Sequence, residues 1–431
     1  MEGYEPVIIL LASVLAFSII GVPIVWSLGL SSLLGIWADG DTSIMVMSQR
    51  MYTGASKYAL LAIFFYILAG SIMQNGGISR RLVDFSNAMF GHIRGGLSIV
   101  CIVTCVFFGA ISGSGIATTL AIGGILFPSL VKAGYDRDYA AAVPAAAGML
   151  GTVIPPSISF VVYGTVTNTS ISSLLIAGIV PGVLTGFALC IYAFVYASAK
   201  KFPKNQHFSF IGLLKATWAA GLSLLMPVII LGGIYLGVFT PTESASVAVA
   251  YGLVVSLVFY REMGLKTLKA VALDSVKGTA SIMLLVMSAT IFSWFLTIYD
   301  IPILLGEFVQ SLISTRTMFL ITINILLLLL GMFMENGAII LILAPLIAPV
   351  ATRSYGIDPV HFGLIMVFNL ALGQATPPFG TCLFAAASMS GQGIVGIAKK
   401  VIPLCLVIFA VVVLISFTPR LALWLPSIMV R

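Results

Sequence analysis

The sequence LGTVIPPS at residues 150–157 returns as LGQATPPFG at residues 372–380, an offset of 222 residues. Each copy lies near the middle of an apolar stretch of about 31 residues, Asp138–Asn168 and Pro359–Met389. A straight helix of that length would extend roughly 46 Å, against a hydrocarbon core of about 30 Å. Tandem prolines remove two N–H donors and disfavour helix at the preceding residue. Both stretches therefore predict membrane helices that are broken at matching positions.

The same offset pairs turn-forming residues along much of the chain. The pairs are Gly109 with Gly331, Gly115 with Gly337, Gly134 with Gly356, Asp136 with Asp358, Gly151 with Gly373 and Pro181 with Pro403. An offset of 223 extends the match to GGISRRLVDF at 76–85 and YDIPILLGEF at 299–308. Turn formers in one order at one spacing indicate two halves with a shared architecture.

Composition indicates a membrane protein. Of the 431 residues, 60% are apolar and only 8% are charged, whereas soluble domains have about 25% charged residues. Apolar runs that reach or approach the ~20 residues of a membrane helix recur throughout. The first, Pro6–Trp37, continues past any plausible signal cleavage site. The net charge is +7, and the basic residues lie in short loops between these runs. This distribution argues against nucleic-acid binding and is typical of basic residues that orient a protein in the membrane.

The loops predict the orientation of the halves. Lys200–Lys215 has four lysines and no acid, so we place it in the cytoplasm. Both chain termini then fall outside, and the segment Gly95–Val131 enters and leaves from the cytoplasm. Segment Thr317–Arg353 does the same from outside. The prediction is an all-α polytopic protein with inverted repeats, about ten crossings of which two are broken, and two opposed re-entrant hairpins.

Small or polar residues interrupt these two hairpin segments, in GAISGSGIATT at 109–119 and GMFMENGA at 331–338. We expect each hairpin tip to lie beside the broken helix of its own half. Carbonyls freed at the breaks, with hydroxyl and amide oxygens, suit a weakly held cation such as sodium. Two sodium sites are therefore expected. The predicted ligands are Ser112, Ser114, Gly115, Gly151, Ile154 and Pro156 in the first half, and Gly337, Gly373, Thr376 and Phe379 in the second.

Substrate is expected at the same tips and breaks, because helix N-termini there suit an anion. Glu335 is an acid in an apolar hairpin, which marks a functional candidate, although it could instead cap or solvate a hydrated tip. The predicted substrate residues are Ser157, Glu335, Asn336 and Thr381. No Arg or Lys falls in a tip or break, so the identity of the anion stays open. Glu243, in TPTESAS, is expected to cap a helix.

Taken together, the motifs resemble the large membrane subunit of tripartite ATP-independent periplasmic (TRAP) transporters, over essentially the full length. The matching stretches are GVPIVWSLG at 21–29, ILAGSIMQNGGISRRLVDF at 67–85, SGSGIATT at 112–119, GVFTPTESASVAVAYG at 237–252 and ATPPFG at 375–380. The resemblance implies sodium-coupled import of a small organic anion, such as a carboxylate, a sugar acid like sialic acid, or a sulfonate. It also implies an inner-membrane location, a separate four-helix small membrane subunit and a soluble periplasmic protein that delivers substrate.

The family further implies an elevator mechanism, in which a transport domain carrying both hairpins slides against a scaffold. On this basis residues 1–94 hold scaffold and arm elements of the first repeat, and 95–171 hold its hairpin and broken helix. Residues 172–316 hold connecting, scaffold and arm elements, including the start of the second repeat. Residues 317–400 hold the second hairpin and broken helix, and 401–431 form a C-terminal helix.

Other functions compete with this one. A standalone sodium-coupled divalent-anion symporter of related fold is the nearest alternative. AISG at 110–113 distantly resembles an intramembrane protease serine motif, but that motif has Gly where Ala110 stands. An ATP-driven pump would need a phosphate-binding G-x-x-x-x-G-K-[ST] loop, which the sequence lacks. A channel stays open as an alternative, although it would not require broken helices paired with hairpins.

Overall fold

The computed structural model describes residues 4–200, 202 and 208–429, and every regular element in this part of the chain is helical. The predicted cytoplasmic loop Lys200–Lys215 is thus only partly described. Residues 1–3 and 430–431 lie outside the description, so the predicted location of the termini stays a prediction.

The described part of the first half of the chain forms twelve α-helices. They are α1 (Glu5–Ile19), α2 (Ile24–Asp39), α3 (Met45–Ala55), α4 (Leu61–Asn75), α5 (Ile78–Phe90), α6 (Gly96–Ser112), α7 (Gly115–Lys132), α8 (Arg137–Gly148), α9 (Leu150–Val153), α10 (Ile158–Thr167), α11 (Ile171–Ala177) and α12 (Ile179–Ala199). The apolar run Pro6–Trp37 divides at Gly21, whose φ of +82° favours glycine, and at Pro23. It forms two helices, α1 and α2, that pack against each other.

The second half, as far as the structure describes it, forms ten α-helices. They are α13 (Phe210–Tyr235), α14 (Pro241–Val254), α15 (Leu265–Ile298), α16 (Ile301–Leu312), α17 (Arg316–Phe333), α18 (Asn336–Pro349), α19 (Pro359–Ala375), α20 (Thr381–Ser390), α21 (Ile394–Phe417) and α22 (Pro419–Met429). The predicted cap at Glu243 is confirmed. Its carboxylate accepts the Thr240 N–H at 2.8 Å, and the Thr240 hydroxyl accepts the Glu243 N–H at 3.3 Å, closing a capping box at the start of α14.

The two predicted hairpins and the two broken helices are confirmed. Hairpin 1 is α6–α7 and hairpin 2 is α17–α18. The first broken helix is interrupted between Val153 and Ile158, and the second between Ala375 and Thr381. Both Pro–Pro bonds, Pro155–Pro156 and Pro377–Pro378, are cis. These elements recur at the offset that the sequence repeat gave.

Contacts explain why the repeat retained particular residues. Asp136 caps α8 by accepting two backbone N–H groups, and Asp358 does the same for α19. A Cβ on Gly109 would lie 2.9 Å from the Gly151 Cα. A Cβ on Gly373 would lie 2.6 Å from the Gly331 Cα. In each half, paired glycines therefore let the first arm of the hairpin touch the backbone of the broken helix.

The order of the helices makes the repeats inverted. Among the described residues, ten helical segments are long and apolar enough to cross a membrane. Five of them lie between the hairpins: Arg137–Thr167, Ile171–Ala199, Phe210–Tyr235, Pro241–Phe259 and Leu265–Ile298. An odd number of crossings between the hairpins places their entrances on opposite faces of the membrane, as the inverted repeats require. The halves also interlock, since α7 packs against α20 and α18 against α10. The first broken helix is almost entirely buried among the other helices.

Candidate functional site at the meeting of the two halves

A cavity of about 260 Å³, here called the central cavity, lies where the broken helices and the hairpin tips meet. One wall comes from both repeats: the residues are Ser112, Gly113, Ser114, Gly115, Ile116, Ala117, Thr152, Ile158, Ser159, Glu335 and Gln374. The other wall comes from α4 and α15: the residues are Ile67, Gly70, Ser71, Gln74, Gly278 and Ile282. Glu335 is the one charged residue among them.

The tip of hairpin 1 is built into the first break. Gly113 has a φ of +64°, and a Cβ there would lie 2.9 Å from the Pro156 carbonyl oxygen. The Ser112 and Thr118 hydroxyls are 2.9 Å apart, and Thr118 donates to the Ser114 carbonyl at 2.8 Å. These contacts order several oxygens around the tip.

The first predicted set of sodium ligands is brought largely together by this packing. A Cβ on Gly151 would lie 2.6 Å from the Ser114 carbonyl oxygen, so the first broken helix touches the tip directly. Gly115 lines the central cavity as well. The Ile154 side chain packs the other way, against Gly182 of α12, which leaves only its backbone available. Sodium binding at this point stays a prediction.

The second predicted set is more dispersed. Gly373 packs on Gly331 of hairpin 2, and Gly337 lies in the first turn of α18 beside Glu335. Thr376 ends α19, and its hydroxyl donates to the Leu372 carbonyl at 2.7 Å. The Phe379 side chain is 54% exposed and stacks on an aromatic ring of α20, so only its backbone could serve a cation.

The four predicted substrate residues have different environments. Glu335 both caps α18, accepting the Ala338 N–H at 3.1 Å, and lines the central cavity, so the two roles are combined. Asn336 is 1% exposed, and neither of its side-chain polar atoms has a partner in the described chain. The Thr381 hydroxyl is also buried and unpartnered.

Ser157 does not line the central cavity, and its predicted substrate role stays a prediction. It is fully buried, donates its hydroxyl hydrogen to the Thr152 carbonyl and accepts the Phe160 N–H at 3.3 Å. The hydroxyl therefore caps α10 within the break.

Sequence reasoning missed a pair of residues that joins the halves. The Thr152 hydroxyl donates to Gln374 Oε1 at 3.0 Å, and both residues line the central cavity. They are separated by 222 residues, so they are equivalent positions of the repeat. Two polar residues at one position of an apolar repeat were the signal that could have identified them.

The sequence profile described as "Tripartite ATP-independent periplasmic transporter, DctM component" matches residues 11–421. The chain belongs to the DctM family. It is 41% identical over 401 residues to the Pseudomonas aeruginosa "C4-dicarboxylate TRAP transporter large permease protein DctM", covering 93% of this chain and 94% of that one. It is 39% identical to the Oleidesulfovibrio alaskensis "Isethionate TRAP transporter permease protein DctMQ", covering 97% of this chain and 66% of that longer protein.

The fold of this DctM protein is similar to that of a solved transporter. The Alcanivorax borkumensis YdaH transporter matches with a TM-score of 0.63 at 16% identity, covering 88% of each chain. At that identity the likeness concerns the fold alone. DctM membership, with the apolar helices, makes the chain a multi-pass inner-membrane transporter subunit. The intramembrane protease alternative is therefore wrong.

Proposed function

We propose that this chain imports a small organic anion through the central cavity, driven by sodium. The observation that carries the proposal is the cavity itself, where a hairpin tip and the broken helices of both halves meet. Unwound backbone at membrane depth needs protein or a hydrated cavity to satisfy it, and these breaks adjoin such a cavity. Relatives are named for C4-dicarboxylate and isethionate transport, which supports an organic anion.

Two sodium ions would couple transport, one in each half. The ordered oxygens around Ser112, Ser114 and Gly151 support the first site. The close approach of Gly331 to Gly373 supports an equivalent second site. Neutral oxygens hold sodium weakly enough for release in every cycle, which a cage of carboxylates would not permit.

An elevator mechanism suits the two walls of the central cavity. Residues 95–171 and 317–400 supply the repeated wall, and α4 and α15 supply the other. Movement of the repeated wall along α4 and α15 would carry bound substrate and sodium between the two faces of the membrane. The buried core of the first broken helix, within which small residues predominate, favours movement of this part as one body.

The chain would work with a small membrane subunit and a periplasmic delivery protein. The longer DctMQ relative, of which this chain spans 66%, supports a second membrane component. The family description names a tripartite system, which favours this arrangement over a standalone divalent-anion symporter.

Uptake against sodium concentration tests the proposal. The chain and its small subunit, reconstituted in liposomes, should take up substrate only with the delivery protein present and with a Hill coefficient for sodium near two. A coefficient near one, or full uptake on a proton gradient without sodium, would contradict the two sites. Saturable uptake without any soluble protein would indicate the standalone symporter.

A further inference from the structure

The two walls of the central cavity meet along a seam that has almost no hydrogen bonds. On one side lies the repeated wall, and on the other lie residues 4–75 and 208–299, which include α4 and α15 and are here called the scaffold side. Within the described residues, one hydrogen bond joins the two sides, and no ion pair does. Lys57 Nζ donates it to the Thr165 carbonyl oxygen at 2.8 Å. Movement along this seam therefore requires the release of a single polar contact.

The acceptor is a free carbonyl at the end of α10. The Thr169 N–H, which would continue the helix by bonding Thr165, bonds the Gly164 carbonyl oxygen at 3.0 Å instead. The Thr165 carbonyl is thus one of the last of the helix, which have no partner inside it. The C-terminus of a helix carries partial negative charge and attracts a cation. Lys57 thereby caps, from the scaffold side, a helix that belongs to the repeated wall.

Lys57 occupies an unusual place for a basic residue. It precedes α4 by four residues, at the end that the predicted orientation places outside the membrane, whereas basic residues are more frequent on the cytoplasmic side. Cavities of about 450 Å³ and 210 Å³ adjoin its side chain along the seam. Each has lining residues from both sides: Asn168 and Thr240 in the larger, Leu341 and Trp294 in the smaller. The seam is thus loosely packed around the ammonium, which holds the outer ends of the two walls together.

A second contact across the seam shows which position the repeated wall occupies. A Cβ on Gly70 of α4 would lie 3.1 Å from the Ser112 Cα at the tip of hairpin 1. Gly70 is nine residues after Leu61, where α4 begins, and five residues before Asn75, where it ends. In the predicted orientation the tip therefore lies nearer the cytoplasmic end of α4. This is the inward position of the repeated wall.

We infer that Lys57 is an outer latch, which holds the repeated wall in this inward position by its bond to the Thr165 carbonyl. The inference rests on the proposed function, because it requires the repeated wall to move along α4 and α15. Outward movement would carry the end of α10 past Lys57 and break the bond. Loss of a charged donor at a helix C-terminus should therefore shift the equilibrium between the two positions outward by about fivefold.

The distance between two spin labels, measured by pulsed electron resonance, reports this equilibrium in the purified membrane complex. One label is attached at Arg137→Cys, an exposed position where α8 of the repeated wall begins. The other is attached at Val238→Cys, which is 63% exposed and precedes α14 on the scaffold side. The predicted orientation puts the two labels on opposite faces of the membrane, so outward movement should shorten the distance between them. The background variant is Cys190→Ala, because the other four native cysteines are buried.

Variants of Lys57 test the latch. Lys57→Met keeps most of the side-chain length and removes the charge and the donors, so the ratio of the shorter to the longer distance should rise about fivefold. Lys57→Arg keeps both and should retain the wild-type ratio. Arg50→Met is the matched control and should also retain it, because the Arg50 guanidinium lies 5.0 Å from the centre of the Trp294 ring, within the scaffold side. An unchanged ratio in Lys57→Met, or an equal rise in Arg50→Met, would overturn the latch. Lys57→Ala repeats the test should Lys57→Met fail to fold.

Gly70→Leu shows whether the labels report movement. The leucine side chain would collide with the Ser112 backbone and displace the tip of hairpin 1, whether or not Lys57 is present. A shorter distance in Gly70→Leu with an unchanged ratio in Lys57→Met would overturn only the latch. A single unchanged distance in both variants would contradict movement of the repeated wall, and thus the proposed elevator mechanism as well.

Discussion

Replacing Gly373 by alanine tests whether the contact between hairpin 2 and the second broken helix builds the second sodium site. A Cβ at Gly373 would lie 2.6 Å from the Gly331 Cα and 2.7 Å from its carbonyl oxygen. Ordinary contacts between carbon atoms are about 3.5–4.0 Å, so the two backbones must separate by about 1 Å. Neither partner atom belongs to a flexible side chain that could turn away.

The expected loss of stability is modest, and the expected loss of function is large. Overpacking costs about 1–3 kcal/mol, and the better helix propensity of alanine offsets about 1 kcal/mol of it. The free energy of unfolding should thus fall by up to about 2 kcal/mol. A shift of about 1 Å far exceeds the tolerance of roughly 0.2 Å in ligand distances at a metal site. Sodium binding in the second half should therefore be lost.

The assay is the rise in Tm with sodium for purified protein, with uptake measured in parallel. Gly373→Ala should lower the Hill coefficient for sodium towards one and nearly abolish uptake. Gly331→Ala should have a smaller effect, because its nearest contacts are 3.1 Å. Gly124→Ala is the matched control: it lies in α7 with nothing within 4 Å of its Cβ, and it should be neutral or slightly stabilising. Wild-type sodium dependence in Gly373→Ala would refute the reasoning.

Three other predictions concern charge, ligands and orientation. Glu335→Gln should keep expression and the α18 cap, since the amide oxygen can still accept the Ala338 N–H, but uptake should fall because the carboxylate charge is lost. Wild-type uptake would mean that Glu335 is only a hydrated tip residue. Ser112→Ala should weaken the sodium dependence of uptake more than it weakens binding of the delivery protein, because the Ser112 hydroxyl belongs to the hairpin 1 tip. Equal loss of both would contradict a ligand role for Ser112. In intact cells, a cysteine that replaces Ser209 should be protected from a membrane-impermeant thiol reagent, whereas a cysteine that replaces Asp39 should be labelled. The control is the parent protein with its five native cysteines. The reverse labelling pattern would overturn the predicted orientation.

The sequence alone determined the helices, the breaks and the hairpins, because each depends on residues that are close together in the chain. Apolar runs of sufficient length form membrane helices, and Pro155–Pro156 and Pro377–Pro378 interrupt them, whatever the neighbours are. The repeat offset identified equivalent turns in the two halves. Asp136 and Asp358, which the offset pairs, do cap equivalent helices. Glu335 stood out because an acid is rare in an apolar segment.

Only the tertiary structure decided which polar groups face the central cavity. Ser157 lies in the first break and Thr152 in α9 just before it, yet the Ser157 hydroxyl caps α10 whereas the Thr152 hydroxyl meets Gln374 of the other half. The second wall, from α4 and α15, has no signal in the repeat motifs. The physical reason is that the direction of each polar side chain depends on the relative orientation of helices that are far apart in sequence. That orientation follows from close packing of their side chains and glycines, which no local pattern specifies.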